Sequence, residues 1–96
     1  MAKGYWVVSY KAIKDAECLR AYAKVAGTAL DKADGKILVR GIPEKIYDDG
    51  ISQLTVVVEF ETVDAAIAAR ESDAYREALA VLGGAVERDF RIAAGE

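Results

Sequence analysis

Histidine is missing from the sequence altogether. Its absence excludes Ser-His-Asp and Cys-His nucleophile systems, histidine-ligated haem, zinc centres built on imidazole and the two-histidine iron triad. Any acid, base or ligand chemistry must come from carboxylates, arginines, tyrosines or one thiol. Cysteine is almost as scarce. Cys18 stands alone, so neither an internal disulfide nor a Cys-x-x-Cys pair can form, which suits a reducing, cytoplasmic setting. There is no GxGxxG and no Walker loop, and neither a metal nor a bound cofactor is expected. Basic runs are absent too: with a net charge of -3 and a pI near 5.0, nucleic acid and anionic membranes are poor partners. No apolar stretch approaches bilayer length, and the N-terminal segment meets Lys11 before a signal-type apolar region could form.

What is present is a chain of 96 residues, 53% hydrophobic and 30% charged, which predicts one domain over 1–96. So small a body buries a modest share of its surface and gains from a partner. Residues 4 to 13, GYWVVSYKAI, alternate as a strand with Trp6, Val8 and Tyr10 on one face and Tyr5, Val7 and Ser9 on the other. Asp15 caps a helix whose apolar positions include Leu19, Tyr22, Ala26 and Leu30, and Gly35 closes it. Strands are expected over 36–42 and 53–61, with a short helix from Thr62, a second from Ser72 and a last strand over 87–94. Gly83-Gly84 reads as a helix stop, not as a phosphate cradle.

The order βαββαβ predicts an α+β, ferredoxin-like fold: a four-stranded antiparallel sheet in the order 4-1-3-2 with helices on one face. Pro43, the single proline, fits that order because it falls on an edge strand, where a missing ladder donor is tolerated.

Asp49-Gly50 is read as a two-residue hairpin turn, which sets Val39 opposite Phe60 and Arg40 opposite Glu59. That register gives the helices a face of Ile37, Val39, Val56, Val58 and Phe60. The other face is mixed: Leu38, Arg40, Ile42, Thr55, Val57, Glu59 and Glu61, extended by Tyr5, Val7, Ser9 and Arg91. A face of this kind suits a homodimer in which two open sheets meet around a partly polar cavity. Arg40 and Glu59 could equally be an exposed ion pair worth about 0–1 kcal/mol. Cys18 and Trp6 read as packing residues, and Tyr75 as a core residue whose hydroxyl reaches a polar rim.

Several stretches carry a resemblance: Gly4-Tyr5-Trp6, ILVRG at 37–41, TVVVEF at 55–60 and Ser72-x-x-Tyr75. On these the chain resembles the bacterial family known as domain of unknown function 1330, within the dimeric α/β barrel superfamily. The family often has glycine where Ile42 stands and arginine near Leu82. The resemblance implies a dimer with open sheet faces packed together, and brings no established reaction.

Two functional classes follow. One is a small-molecule binder or cofactor-independent enzyme with its cavity at the dimeric sheet face, Glu59 acting as base and Arg40 orienting a carboxylate or holding enolate-like charge. Tyr5, Ser9, Tyr75 and Arg91 would contact the ligand. The other is a non-catalytic dimerisation or ligand-sensing module using the same face. An RNA-recognition role is rejected, since its platform needs stacking aromatics and basic residues where this chain has Thr55, Val57 and Glu59.

Overall fold

The computed structural model describes residues 2–96. In chain order the elements are β1 (Gly4–Ile13), α1 (Ala16–Lys32), β2 (Lys36–Gly41), β3 (Thr55–Phe60), α2 (Val63–Arg70), α3 (Asp73–Leu82) and β4 (Val86–Ala94). The strands make one antiparallel sheet in the order β2-β3-β1-β4, as the βαββαβ pattern predicts, with the second crossover divided into α2 and α3. No helix among the described residues is long and apolar enough to cross a membrane.

Each helix starts where the sequence places its cap. The Asp15 carboxylate accepts from the backbone N–H groups of Glu17 and Cys18, Thr62 Oγ1 accepts from Ala65, and Ser72 Oγ accepts from Tyr75. At the far end of α3, Gly83 adopts a φ of 52°, the conformation expected of a stop signal. α1 closes differently. Asp34, not Gly35, takes the positive φ, while a Cβ on Gly35 would lie 2.8 Å from the Phe60 ring and 2.9 Å from a Leu30 methyl. Gly35 is needed for close approach instead of for turning.

Trp6 organises the core between helices and sheet. Its indole N–H donates to the Ala66 carbonyl at 2.8 Å, tying α2 to β1, and its ring lies 5.0–5.1 Å from those of Phe60, Tyr75 and Phe90. Tyr75, Phe60 and Val58 are fully enclosed around it. A buried aromatic at such a junction is worth about 3–5 kcal/mol against alanine.

The hairpin between β2 and β3 departs from expectation. Its turn is not a two-residue link at Asp49-Gly50: residues 42–54 form a long connection with a tight turn from Tyr47 to Gly50, Asp48 taking a φ of 55°. β2 also carries a bulge at Leu38, so Ile37 faces Val58, Val39 faces Val57 and Arg40 faces Val56. Arg40 therefore does not face Glu59, which sits opposite Lys36 and Tyr5. The difference is an odd number of residues, so Arg40 and Val39 exchange faces relative to the expected register. Val39 joins the open face and Arg40 turns toward the helices.

Gly4 sits where β1 passes the start of α2, and a Cβ there would meet the Thr62 carbonyl oxygen at 2.5 Å and Val63 Cα at 2.6 Å. Both are backbone atoms and cannot swing aside. Gly4→Ala should lower unfolding stability by about 1–3 kcal/mol in urea denaturation, while Gly41→Ala, with open space around its Cβ, should not show that overpacking loss.

Candidate functional site

Between α1 and the sheet lies a cavity of about 120 Å³. Trp6, Val8, Val56 and Val58 form its floor, and Leu19, Ala26, Gly27 and Leu30 of α1 form its roof. For scale, an engineered apolar cavity of ~150 Å³ holds benzene. Its polar groups are few: Tyr10, Tyr22, Arg88 and Arg40.

Arg88 comes from β4 directly opposite Tyr10 of β1, which places both on the helix side. Its guanidinium donates to Tyr10 and Tyr22 hydroxyl oxygens at 3.2 Å each and to that of Tyr75 at 3.3 Å. The Tyr22 and Tyr75 hydroxyls are themselves in hydrogen-bond contact. Aromatic faces surround the charge as well, with the guanidinium carbon 5.1–5.6 Å from the rings of Tyr10, Tyr22 and Phe90. Among the described residues no carboxylate pairs with Arg88, and none lines the cavity. Burial pushes the Tyr10 and Tyr22 hydroxyls above the usual tyrosine range, so both are neutral donors at physiological pH. Arginine stays charged throughout that range. The site thus holds positive charge and hydroxyl protons, and no base of its own.

Arg40 reaches the same cavity from β2 because of the bulge at Leu38. It is exposed, whereas Arg88 is half-buried, so the two guanidinium groups mark the outer and inner ends. Their strands stand three spacings apart, roughly 14 Å across the sheet.

The remaining expected site residues divide between the faces. Tyr75 is fully buried on the helix side as part of the Arg88 cluster. Tyr5, Ser9, Glu59 and Arg91 lie on the open face, away from that cavity. There the Tyr5 hydroxyl donates to Glu59 Oε2 at 2.8 Å and Lys3 Nζ stands 3.5 Å from Oε1. Arg91 makes a two-pronged pair with Asp89 at 2.9 and 3.0 Å, and Asp89 faces Ser9. Tyr5 above all, then Lys3, holds the Glu59 carboxyl below its usual range despite opposing desolvation. Glu59 is ionised at neutral pH, and that stabilisation weakens it as a proton acceptor.

Arg88, Tyr10 and Tyr22 were not among the expected site residues. The readable signal was parity: in ERDFRIAA, Arg88 shares a face with Phe90 and Ile92, a lone charge on an otherwise apolar side. Cys18 donates its thiol to Asp15 at 3.3 Å, and that bond together with burial raises its pKa, opposite to the shift an activated thiol needs. Among the described residues no three of Cys, Asp and Glu gather as a metal site.

The family described as Domain of unknown function (DUF1330) matches over residues 3–96. No curated protein matches the chain. Among solved structures, a protein of unknown function from Rhodopseudomonas palustris superposes with a TM-score of 0.77 at 17% identity, covering 99% of this chain and 83% of that one. SnoaB, a cofactor-independent oxygenase from Streptomyces nogalater, superposes with a TM-score of 0.68 at 7% identity, covering 100% and 95%. A candidate antibiotic biosynthesis monooxygenase from Caulobacter crescentus gives a TM-score of 0.64 at 14% identity, covering 99% and 91%. At these identities the likeness is one of fold, and it supports the ferredoxin-like architecture.

The Tyr5–Glu59 bond yields a measurable pH effect. The lowered Glu59 pKa adds stability that is complete above the ordinary glutamate value of about 4.3 and is lost as pH falls through the folded-state value. Tyr5→Phe should raise the Glu59 pKa toward the ordinary value in a carboxyl NMR titration. An unchanged titration would show that the hydroxyl does not set it.

Proposed function

The chain belongs to the DUF1330 family, and from that premise we propose that it binds a small, largely apolar molecule in the cavity between α1 and the sheet, as a homodimer joined through the open sheet face. One observation carries the reading: a half-buried guanidinium without a carboxylate partner among the described residues stands at the end of an apolar cavity. A charge held there by hydroxyls and rings alone is poorly compensated for stability. It gains from a ligand that supplies the missing complement.

In this reading Arg40 and Tyr75 belong to the ligand site, Arg40 at its mouth and Tyr75 behind Arg88. Tyr5, Ser9, Glu59 and Arg91 belong to the contact between copies. The available chemistry is stabilisation of negative charge on a bound molecule, which serves a binder and equally an enzyme that needs no cofactor. A reducing, cytoplasmic setting suits the single thiol, Cys18.

The dimer rests on the open face. Across its middle run Val7, Val57 and Val39 in one row, with Leu38 beside them, and Val7, Leu38 and Val39 are exposed in the single chain. Ile42, Ile46 and Ile51 add apolar surface from the adjoining connection. So much exposed aliphatic surface on a small domain favours a partner of the same kind. The same face supports a second reading, in which association is the whole function and the cavity merely a packing gap.

Two experiments test these assignments. Gly27 lines the cavity from the middle of α1, and its Cβ would meet nothing within 4 Å. Gly27→Leu should therefore retain the fold, gain up to about 1 kcal/mol from helix propensity and fill the cavity. In a small-molecule screen read by amide NMR, the original protein should show shifts at Ala26, Gly27 and Val56 that this variant lacks. Ligand shifts confined to other surfaces would refute the site. For the dimer, Val57→Lys should yield monomer in sedimentation velocity at micromolar concentration, because an unpaired charge would lie inside an apolar contact. A monomeric original protein would overturn the assembly.

A further inference from the structure

Resting on that reading of the cavity, the hydrogen bonds around Arg88 specify the chemical class of its ligand. Each tyrosine hydroxyl has one proton to give and can accept two bonds. Arg88 donates to the oxygens of Tyr10, Tyr22 and Tyr75, so all three act as acceptors toward it. The contact between Tyr22 and Tyr75 uses one hydroxyl proton. Three protons less one leaves two without an acceptor among the described residues. Tyr75 is fully buried and does not line the cavity, whereas Tyr10 and Tyr22 do. The arrangement that faces the spare protons toward the cavity has Tyr75 donating to Tyr22.

The inner end of the cavity then offers a delocalised cation flanked by two hydroxyl donors, in a wall with no acceptor side chain other than those hydroxyl oxygens. We propose that this cluster is a carboxylate-binding subsite and that the ligand is a small monocarboxylic acid, its charged end at Arg88, Tyr10 and Tyr22 and its apolar body beneath α1. A carboxylate is acceptor-only and has two oxygens, which matches a site that is donor-rich at two neighbouring points. A primary amide of the same shape brings its own N–H donors and no charge. It would leave one hydroxyl proton facing another donor. The cavity volume, near that which holds benzene, limits the apolar body to a short branched chain or a single ring.

The test uses the full chain and two probe pairs, isobutyrate with isobutyramide and benzoate with benzamide, titrated by NMR on backbone amides and on the Arg88 side-chain N–H. At least one acid should bind about tenfold or more tightly than its amide, with shifts at Arg88, Ala26 and Gly27. Tyr10→Phe, which deletes one oxygen, should weaken the acid several-fold and leave the amide unchanged. Arg88→Met should remove the preference for the acid; should that variant not fold, Tyr10→Phe alone decides. If acid and amide bind equally at Ala26 and Gly27, the cavity is a ligand site but the carboxylate assignment is wrong. If neither pair perturbs those residues, the ligand site and the assignment both fall.

Discussion

A strand sends successive side chains to opposite faces, and this parity governs everything in a sheet covered on one side only. On β1 it puts Trp6, Val8 and Tyr10 under the helices and Tyr5, Val7 and Ser9 on the open side. On β4 it puts Arg88 among aromatic rings while Arg91 pairs with Asp89 outside. Core, cavity and open face are therefore not separate constructions. They are two readings of the same strands, one residue apart.

The helix side shows how such a fold carries polarity inward. Trp6 directs its one polar atom to a carbonyl of α2 and leaves the rest of its surface to packing. The tyrosines of β1, α1 and α3 do the reverse, grouping their hydroxyls where β4 delivers a guanidinium. Both arrangements keep buried polar atoms bonded, but only the second brings a formal charge. A neutral donor such as the Trp6 indole is satisfied by one carbonyl. A guanidinium has five protons and a net charge, so neutral oxygens answer its geometry without neutralising it.

Much of this was legible in the residues. The strand order follows from element order, and Asp15, Thr62 and Ser72 announce their helices because a cap is a local, short-range device. Trp6 and Tyr75 declare themselves as core through periodicity. What was not legible was the register of β2. Asp49-Gly50 has the composition of a tight hairpin, yet Asp48 makes the left-handed turn and the connection is long. Nothing in KILVRG marks Leu38 as the extra residue, because a bulge is chosen by how a strand end must meet its neighbour. The longer connection separated Arg40 from Glu59, and the bulge then turned Arg40 from the open face toward the cavity. The cluster around Arg88 depends on four elements spread along the chain, and its only local trace is a charge on an apolar face.

The bulge also bears on how this strand can vary over time. Because Leu38 is surplus to the alternation, a version lacking it would keep Lys36 and Ile37 on their present faces and Arg40 on the cavity side. Except at Lys11, where β1 has a similar irregularity against β4, loss of one residue within another strand would turn its remainder inside out. β2 is thus a place where chain length can change without moving the arginine. A strand one residue shorter here would place the same guanidinium at the same cavity by plain alternation, whereas in this chain counting forward from Gly35 would assign Arg40 to the opposite face.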